Sequence, residues 1–498
     1  MPKLPDDIRH LLRALRKLSI EPYLFLLCAG YFVFLSLKTS LIYSKMCALA
    51  NPDHDSDSGA NAMNCQNLSG DPTAQDSIQR SSSLWILYYT EAYVISSTIA
   101  IPLLSAWGES HDFKVVLFAP LIGASLQCYL MSTVAVSYPL SPMWLIPLGA
   151  FVNGWSGLLG LGFAVVPQYI IRQMQQCSER NQAIHEYTST SDKEILTFRL
   201  ALLIVIAEMG MIVGSYAAGF LLPKVGPSWV LVGGGQGLLL IGAIYLAIGV
   251  PTLEPSRPER ELNIQHPSTL TKLRNCVQQT VGTFVKPRSG RKRLYIAVGI
   301  VLYTLTWSAE IQMDPTLNIF MLRRPLNFSP QQYAIVSAMT HLVQLIGVLG
   351  GTWILKRMFH FSDSALAVIG LASLTARLVT IAVSTQQWTI WLSCVVTLLS
   401  SLHIPGFQAF LIDQVEASEK GRIMTALGLS VNVSMLLSSL LYNDVYRATE
   451  QWYPGFVFAL AAGIVGLVMI VTIFIHFDNY VYLRKSDDFI VPWTNDEY

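Results

Sequence analysis

Four side chains in one apolar stretch, residues 294–322, have the types and spacing of a chemical site. Tyr303, Trp307, Glu310 and Asp314 follow one another at intervals of four, three and four positions, so an α-helix places them on one face. Two carboxylates one helical turn apart cannot both ionise cheaply, and we expect one to hold a proton near neutral pH. The two aromatic rings offer a stacking surface for a planar ligand. The stretch therefore predicts a proton-exchanging site beside an organic solute.

The end of this stretch has a second feature. Asp314 precedes Pro315, which predicts a broken or kinked helix whose freed backbone groups line a cavity. The alternative interpretation places Asp314 at a wet outer helix end and pairs Glu310 with Arg377.

Other ionisable residues lie inside apolar stretches, where charge is costly. Glu208 has Gly210 and Gly214 nearby, and such small residues let another helix approach closely. We expect Glu208 to be a second proton site, or else a hydrogen-bonding partner of a polar neighbouring helix. Lys38 and Glu91 lie in adjacent stretches and are expected to form a structural ion pair or a gate.

Several neutral residues complete the predicted site. His403 titrates near physiological pH when its surroundings allow, although a satisfied packing role is the alternative for it and for His341. We expect Glu310, Asp314 and Glu208 to couple protons. The predicted solute contacts are Tyr303, Trp307, Asn153, Gln408 and His403.

Composition identifies the environment of these residues. Of 498 residues, 52% are hydrophobic and 13% charged, against about 25% charged in soluble domains. The chain is therefore an integral membrane protein, and its net charge of +1 gives no reason to expect nucleic acid as a partner. Stretches long enough to span a bilayer are residues 22–44, 84–107, 115–136, 143–171, 200–222, 229–250, 294–322, 333–355, 365–383, 388–412, 423–443 and 455–475.

A polar, proline-rich segment at residues 251–293 divides the spans into six and six. This pattern predicts an all-α membrane protein of twelve helices in two six-helix bundles, 22–250 and 294–478, joined by a hinge loop. A plain loop in an unrelated membrane protein is the alternative. Basic residues concentrate before the first span and in the hinge, so the N-terminus (1–21), the hinge and the C-terminal tail (479–498) are predicted to be cytosolic.

The loop 45–83 is then predicted to lie outside or in a lumen. It contains an Asn67-Leu-Ser sequon, and a second sequon begins at Asn327 on the same side, so both asparagines are candidate glycosylation sites. Cys47 and Cys65 also face this oxidising side, where they either form a disulfide or remain free thiols.

Short sequences that resemble sorting signals occur near both termini of the chain. Leu11 and Leu12 follow an acidic residue in a pattern that sorting adaptors read, and residues 480–483 resemble a tyrosine-based signal. The stretch 8–17 is also explained as a membrane-surface helix. We expect a multi-pass protein of the plasma membrane, with the endolysosomal membrane as the alternative.

Enzyme motifs are missing from the sequence. There is no Gly-x-Ser-x-Gly, His-Glu-x-x-His, phosphate-binding loop or paired Cys-x-x-Cys. We therefore expect a secondary, ion-driven carrier without enzymatic activity, cofactor or metal, whose partners are protons, a small organic solute and the bilayer. A non-transporting receptor or scaffold on a carrier fold and a membrane-embedded enzyme are the rival classes.

Residues 104–114 resemble the signature between spans 2 and 3 of the major facilitator superfamily. Glu109 stands where that signature has an aspartate, and Lys114 keeps one basic position, while Ser105, Asp112 and Phe113 depart from the pattern. The resemblance implies a cytosolic gate involving Glu109 and Lys114.

More specific matches are spread along the chain: Ile20-Glu-Pro22, Cys65-x-x-x-Ser-x-Asp71-Pro-Thr-x-Gln75, Ser105-Ala-Trp107, Thr197-Phe-Arg199-x-Ala-Leu-Leu203 and Glu419-Lys-Gly421. They look like the proton-coupled folate transporter family, solute carrier family 46. The resemblance implies proton-coupled symport of organic anions such as folates or muropeptides, through a cavity lined by spans 1, 4, 5, 7, 8, 10 and 11.

The site residues of that family do not coincide with those of this chain. By the resemblance, its glutamate of span 5 falls on Ile204, its aspartate of span 4 on Gly154, its histidine of span 7 near Glu310 and its arginine of span 10 near Gln408. We interpret Glu208 and Glu310 as carboxylates that have taken over proton coupling at shifted positions.

Overall fold

The computed structural model describes residues 20–50, 72–110, 113–136, 142–182, 190–252, 286, 288, 291–322, 325–326, 328, 330–416, 419–449 and 452–488. Throughout these ranges the chain is helical or irregular and contains no strand. Within them, twelve helices are long and apolar enough to cross a membrane. Each predicted span overlaps one of these helices, so the predicted twelve-helix fold is confirmed.

We number the spanning helices α1–α12, and consecutive segments of one span share a number. Their bounds are Glu21–Ala50 (α1), Pro72–Ser110 (α2), Phe113–Val136 (α3), Leu145–Trp155 with Leu158–Gln182 (α4), Thr190–Val225 (α5), Pro227–Trp229 with Val230–Gln236 and Gly237–Gly249 (α6), Lys292–Leu322 (α7), Pro330–Trp353 with Ile354–Met358 (α8), Asp363–Ala382 (α9), Gln387–Val396 with Thr397–Leu402 and His403–Asp413 (α10), Lys420–Thr449 (α11) and Phe456–Asp488 (α12).

Local backbone geometry explains the interruptions. Gly157 separates the two parts of α4 and Gly226 separates α5 from α6, with φ of 68° and 79°, a conformation that glycine adopts without strain. In α10 the segment Thr397–Leu402 is a 3₁₀-helix that ends directly before His403, and such tight segments within a helix often accompany functional sites.

Two helix ends differ from expectation. The sequence predicted a break or a kink at Pro315; the break is wrong, because α7 continues from Lys292 to Leu322, and the kink stays a prediction. Neighbouring groups in a membrane protein can compensate for the hydrogen bond that proline removes. Helix α12 extends to Asp488, past residue 479, where we placed the start of the tail.

The helices pack into two bundles. In the first, α1 packs mainly against α5, and α2 and α3 pack against α4; in the second, α7 packs against α11, α8 against α10, and α9 against α12. The bundles meet where α5 contacts α8 and α10, and where α11 contacts α2 and α4. Ala201 and Val205 of α5 and Val348 of α8 are buried together where these two helices meet.

The inner ends of the bundles, which we define as the ends predicted to face the cytosol, are joined by hydrogen bonds. Ser105 of α2 lies 2.8 Å from the Thr425 hydroxyl of α11. Gln168 of α4 donates to Thr425 at 2.9 Å and to the Gly421 carbonyl at 2.8 Å. Farther along, Gly160 and Gly428 bring α4 and α11 into backbone contact. The bundles are therefore closed against each other at the inner end.

Candidate functional site

An apolar cavity lies between α1, α4 and α5 and reaches α10 through one residue, Gln408. Among the lining residues that the structure describes there is no aspartate, glutamate, lysine or arginine; they are Leu24, Leu27, Cys28, Tyr31, Phe32, Gly162, Val166, Pro167, Leu200, Leu203, Ile204, Ala207, Met211 and Gln408. The walls therefore suit a hydrocarbon or ring skeleton.

A polar cluster on α7 and α10 adjoins this cavity. Tyr303 is fully buried, with its ring edge-on to Trp307 at 6.1 Å and to Phe407 at 6.2 Å between centroids. Its hydroxyl lies beside the Trp307 and Gln408 side chains without meeting hydrogen-bond geometry. Because Gln408 also lines the cavity, the cluster and the cavity share a wall.

Glu310 faces His403. Its Oε2 atom lies 3.4 Å from Nε2 of His403, which is fully buried, and Nδ1 of His403 lies 2.6 Å from the Ser400 carbonyl oxygen. A carbonyl only accepts, so Nδ1 carries a hydrogen, and Nε2 faces the Glu310 carboxylate without meeting hydrogen-bond geometry. The alternative pairing with Arg377 is not seen, since Arg377 makes no ion pair in the part of the chain that the structure describes.

Glu208 also has an imidazole partner. Its Oε2 atom lies 2.6 Å from Nδ1 of His341, and both side chains are mostly buried. This contact joins α5 of the first bundle to α8 of the second. Cys28, a cavity-lining residue, lies close enough to interact with Glu208. The pair thus borders the cavity and bridges the bundles; the sequence offered a hydrogen bond to a polar neighbouring helix as one interpretation of Glu208 but did not name His341.

Asn153 belongs to a network inside the first bundle. Its Nδ2 atom donates to Gln127 at 2.5 Å, and Gln127 donates to the Tyr89 hydroxyl at 2.7 Å. Ser156 donates to Asn153 Oδ1 at 3.1 Å. Asn153 is not among the cavity-lining residues. Any influence on a bound solute would therefore be indirect, through the hydrogen bonds to Gln127 and Ser156.

The predicted ion pair between Lys38 and Glu91 is wrong. The Lys38 ammonium lies 4.3 Å from the centre of the Tyr89 ring, a cation–π contact. Glu91 is half-buried. Positions 89 and 91 point to nearly opposite sides of α2, so a helix that turns Tyr89 toward α1 turns Glu91 away from it.

The inner end contains polar contacts that the sequence did not predict. Lys114, a predicted gate residue, donates to the Ala247 carbonyl of α6 at 2.7 Å. Arg288 at the end of the hinge lies 2.8 Å from Glu419, and Lys286 lies 2.9 Å from Glu416. These ion pairs tie the hinge to the segment between α10 and α11.

Several predicted residues lie outside what the structure describes. The side chains of Asp314, Glu109 and Cys47 and the whole of Leu11, Leu12, Cys65, Asn67 and Asn327 are in this group. The proton-coupling, gating, disulfide, glycosylation and adaptor roles assigned to them stay predictions.

Two six-helix bundles with a cavity near their contact, and carboxylates beside it, are the arrangement typical of a membrane carrier. The family model of the major facilitator superfamily matches residues 75–439, and the chain belongs to that superfamily. The receptor or scaffold alternative is not favoured.

The resemblance to solute carrier family 46 is confirmed by similar proteins. The bovine proton-coupled folate transporter is 26% identical over 432 residues, covering 84% of this chain and 83% of that protein. The chicken lysosomal proton-coupled steroid conjugate and bile acid symporter SLC46A3 is 22% identical, covering 90% and 91%. A probable peptidoglycan muropeptide transporter of Drosophila melanogaster is 21% identical, covering 73% and 67%.

Solved structures share the fold. The human organic anion transporter MFSD10 superposes with a TM-score of 0.65 at 14% identity, covering 91% of this chain and 98% of that one. The proton:xylose symporter XylE gives a TM-score of 0.57 at 9% identity, covering 91% and 94%.

Proposed function

We propose that this chain is a proton-coupled symporter that carries an amphipathic organic anion by alternating access. The observation that carries the proposal is that Glu208 and Glu310 each face an imidazole nitrogen. An arginine or lysine partner holds a fixed charge beside a carboxylate, whereas an imidazole is itself able to take up and release a proton.

In the pair of Glu310 and His403, one ring nitrogen and one carboxylate oxygen are placed to receive a proton. With Nδ1 committed to the Ser400 carbonyl, that proton resides on Nε2 or on the carboxyl group. A second proton converts the pair to an imidazolium beside a neutral acid, which removes the attraction between opposite charges. The pair lies next to Tyr303 and Gln408, so its charge state acts on the cavity wall.

The pair of Glu208 and His341 connects protonation to conformation. The two residues belong to different bundles, and alternating access requires the bundles to move apart on one side and together on the other. The short contact stabilises the arrangement seen here, and a second proton weakens it. Proton binding from one side would thereby favour rearrangement of α5 against α8.

The cavity favours a largely apolar solute. A charge buried without a partner is costly, and the described residues of the lining offer no opposite charge. Among the compounds named for the relatives, steroid conjugates and bile acids match an apolar cavity better than folate. We therefore expect a ring skeleton with one acidic group.

The test is uptake into proteoliposomes under an imposed pH gradient, with a steroid sulfate, a bile acid and folate as solutes. We expect the steroid sulfate and the bile acid to accumulate and an uncoupler to abolish accumulation. Glu310→Gln and Glu208→Gln should each remove the dependence on the gradient. Glu91→Gln makes the same change at a half-buried carboxylate of α2 and should leave the dependence of uptake on the pH gradient intact.

Two results would contradict the proposal. Unchanged pH dependence in both glutamine variants would show that the imidazole pairs do not couple protons. Absence of uptake of all three solutes, with binding retained, would support the receptor interpretation instead.

A further inference from the structure

Lys38 is a buried cation without an anionic partner. Its side chain is about nine-tenths buried, with 9% of the residue exposed, and its ammonium lies over the Tyr89 ring. In the part of the chain that the structure describes, no carboxylate pairs with it. Because a cation inside hydrocarbon is costly, a lone cation–π contact leaves Lys38 ready to bind an anion.

The position of Lys38 on α1 relates it to the cavity. Leu24, Cys28 and Tyr31 of α1 line the cavity, and the helical repeat continues that face to position 38. Tyr31 and Lys38 are seven positions apart, or about 10 Å along the axis. Tyr89, beneath the ammonium, is within hydrogen-bonding reach of Tyr31. The cavity wall and Lys38 are thus joined through one aromatic ring.

Two other basic side chains, Lys224 and Arg377, do not match this placement. Lys224 also stacks on an aromatic ring, 3.6 Å from the centre of Phe220, but it is exposed. Arg377 is buried on α9, which contributes no lining residue. Lys38 alone among these three combines burial with the cavity-facing side of a lining helix.

We propose that Lys38 is the anchor for the acidic group of the transported solute. The apolar body of the solute occupies the cavity beside Tyr31, and a single sulfate or carboxylate binds the Lys38 ammonium toward the outer end of α1. This inference rests on the proposed function and adds to it the residue that binds the acidic group of the solute. An ammonium is a point charge with three hydrogen-bond donors, so it can bind either a sulfate or a carboxylate.

The test compares two probes that differ only in charge, a steroid sulfate and the corresponding free alcohol. Their binding to the purified full-length chain is measured in phosphatidylcholine nanodiscs. We expect wild type to bind the sulfate more tightly. Lys38→Gln should weaken sulfate binding roughly tenfold or more, because a hydrogen bond to a charged group is lost, and should leave alcohol binding unchanged.

Two variants complete the design. Lys38→Arg keeps the charge and should retain most of the sulfate affinity. Lys224→Gln is the matched control, since it removes an exposed lysine that also lies over an aromatic ring, and it should change neither affinity. Alcohol binding by Lys38→Gln serves as the measure of its folding.

Several outcomes would contradict the proposal that Lys38 binds the acidic group of the solute. These are equal affinity of wild type for both probes, equal loss of both in Lys38→Gln, unchanged sulfate affinity in that variant, or displacement of the sulfate by added phosphatidylglycerol. Failure of the proposed function looks different: wild type would bind the sulfate through Lys38 yet show no uptake driven by a pH gradient.

Discussion

Replacing Gly428 by alanine should open the inner end of the carrier. A Cβ at this position would lie 2.5 Å from the Gly160 carbonyl oxygen and 2.8 Å from Ala164 Cβ. Both atoms belong to α4, and the carbonyl is backbone that cannot rotate away. The added methyl group therefore fits only if α11 and α4 separate.

The expected magnitude follows from overpacking. Extra methyl or methylene groups in a packed contact cost about 1–3 kcal/mol. This contact joins the two bundles, so the cost falls on the conformation closed at the inner end. The ratio of closed to open molecules should then fall by about 5- to 150-fold.

Cys28 supplies the assay because it lines the cavity. In a background where the other cysteines are serine, a membrane-impermeant maleimide added from the inner side should label Cys28 faster in Gly428→Ala. Gly463→Ala is the control, since a Cβ at Gly463 meets no atom within 4 Å. Equal labelling rates in Gly428→Ala and wild type would refute the idea that this contact closes the inner end.

Three further predictions concern single contacts. Burial raises the pKa of Glu419, but hydrogen bonding and charge from Arg288 outweigh it and hold the pKa below its ordinary value. The stabilisation from Glu419 should therefore be present above about pH 4.3, the ordinary value, and be lost as pH falls through the depressed pKa. Glu419→Gln should lower the melting temperature at pH 7 and pH 5 alike, with a difference that disappears at lower pH, and a wild type already destabilised at pH 5 would contradict this. Gln168→Ala removes the hydrogen bonds between α4 and α11, each worth about 0.5–1.5 kcal/mol. It should speed Cys28 labelling less than Gly428→Ala does. Unchanged labelling would show that these hydrogen bonds do not hold the inner end closed. Gly157→Ala forces a side chain into the left-handed region at about 1–2 kcal/mol and should lower the melting temperature, whereas an unchanged melting temperature would show that α4 can adjust its break.

The sequence by itself determined the spanning helices. Hydropathy is a local property, and about twenty consecutive apolar residues must span a bilayer wherever they occur. It also singled out Glu208 and Glu310, because a carboxylate is conspicuous in an apolar stretch, and the helical repeat placed Tyr303 and Trp307 on one face.

Only the tertiary structure decided what these residues face. His403 meets Glu310 and His341 meets Glu208, although each pair lies on helices far apart in sequence. The expected partner of Lys38 was a carboxylate on the adjacent helix, and the observed one is the Tyr89 ring. A helix fixes the angle at which each side chain leaves its axis, but its rotation against its neighbours depends on the packing of the whole bundle. Partners are therefore a property of the assembled bundles, which no single span encodes.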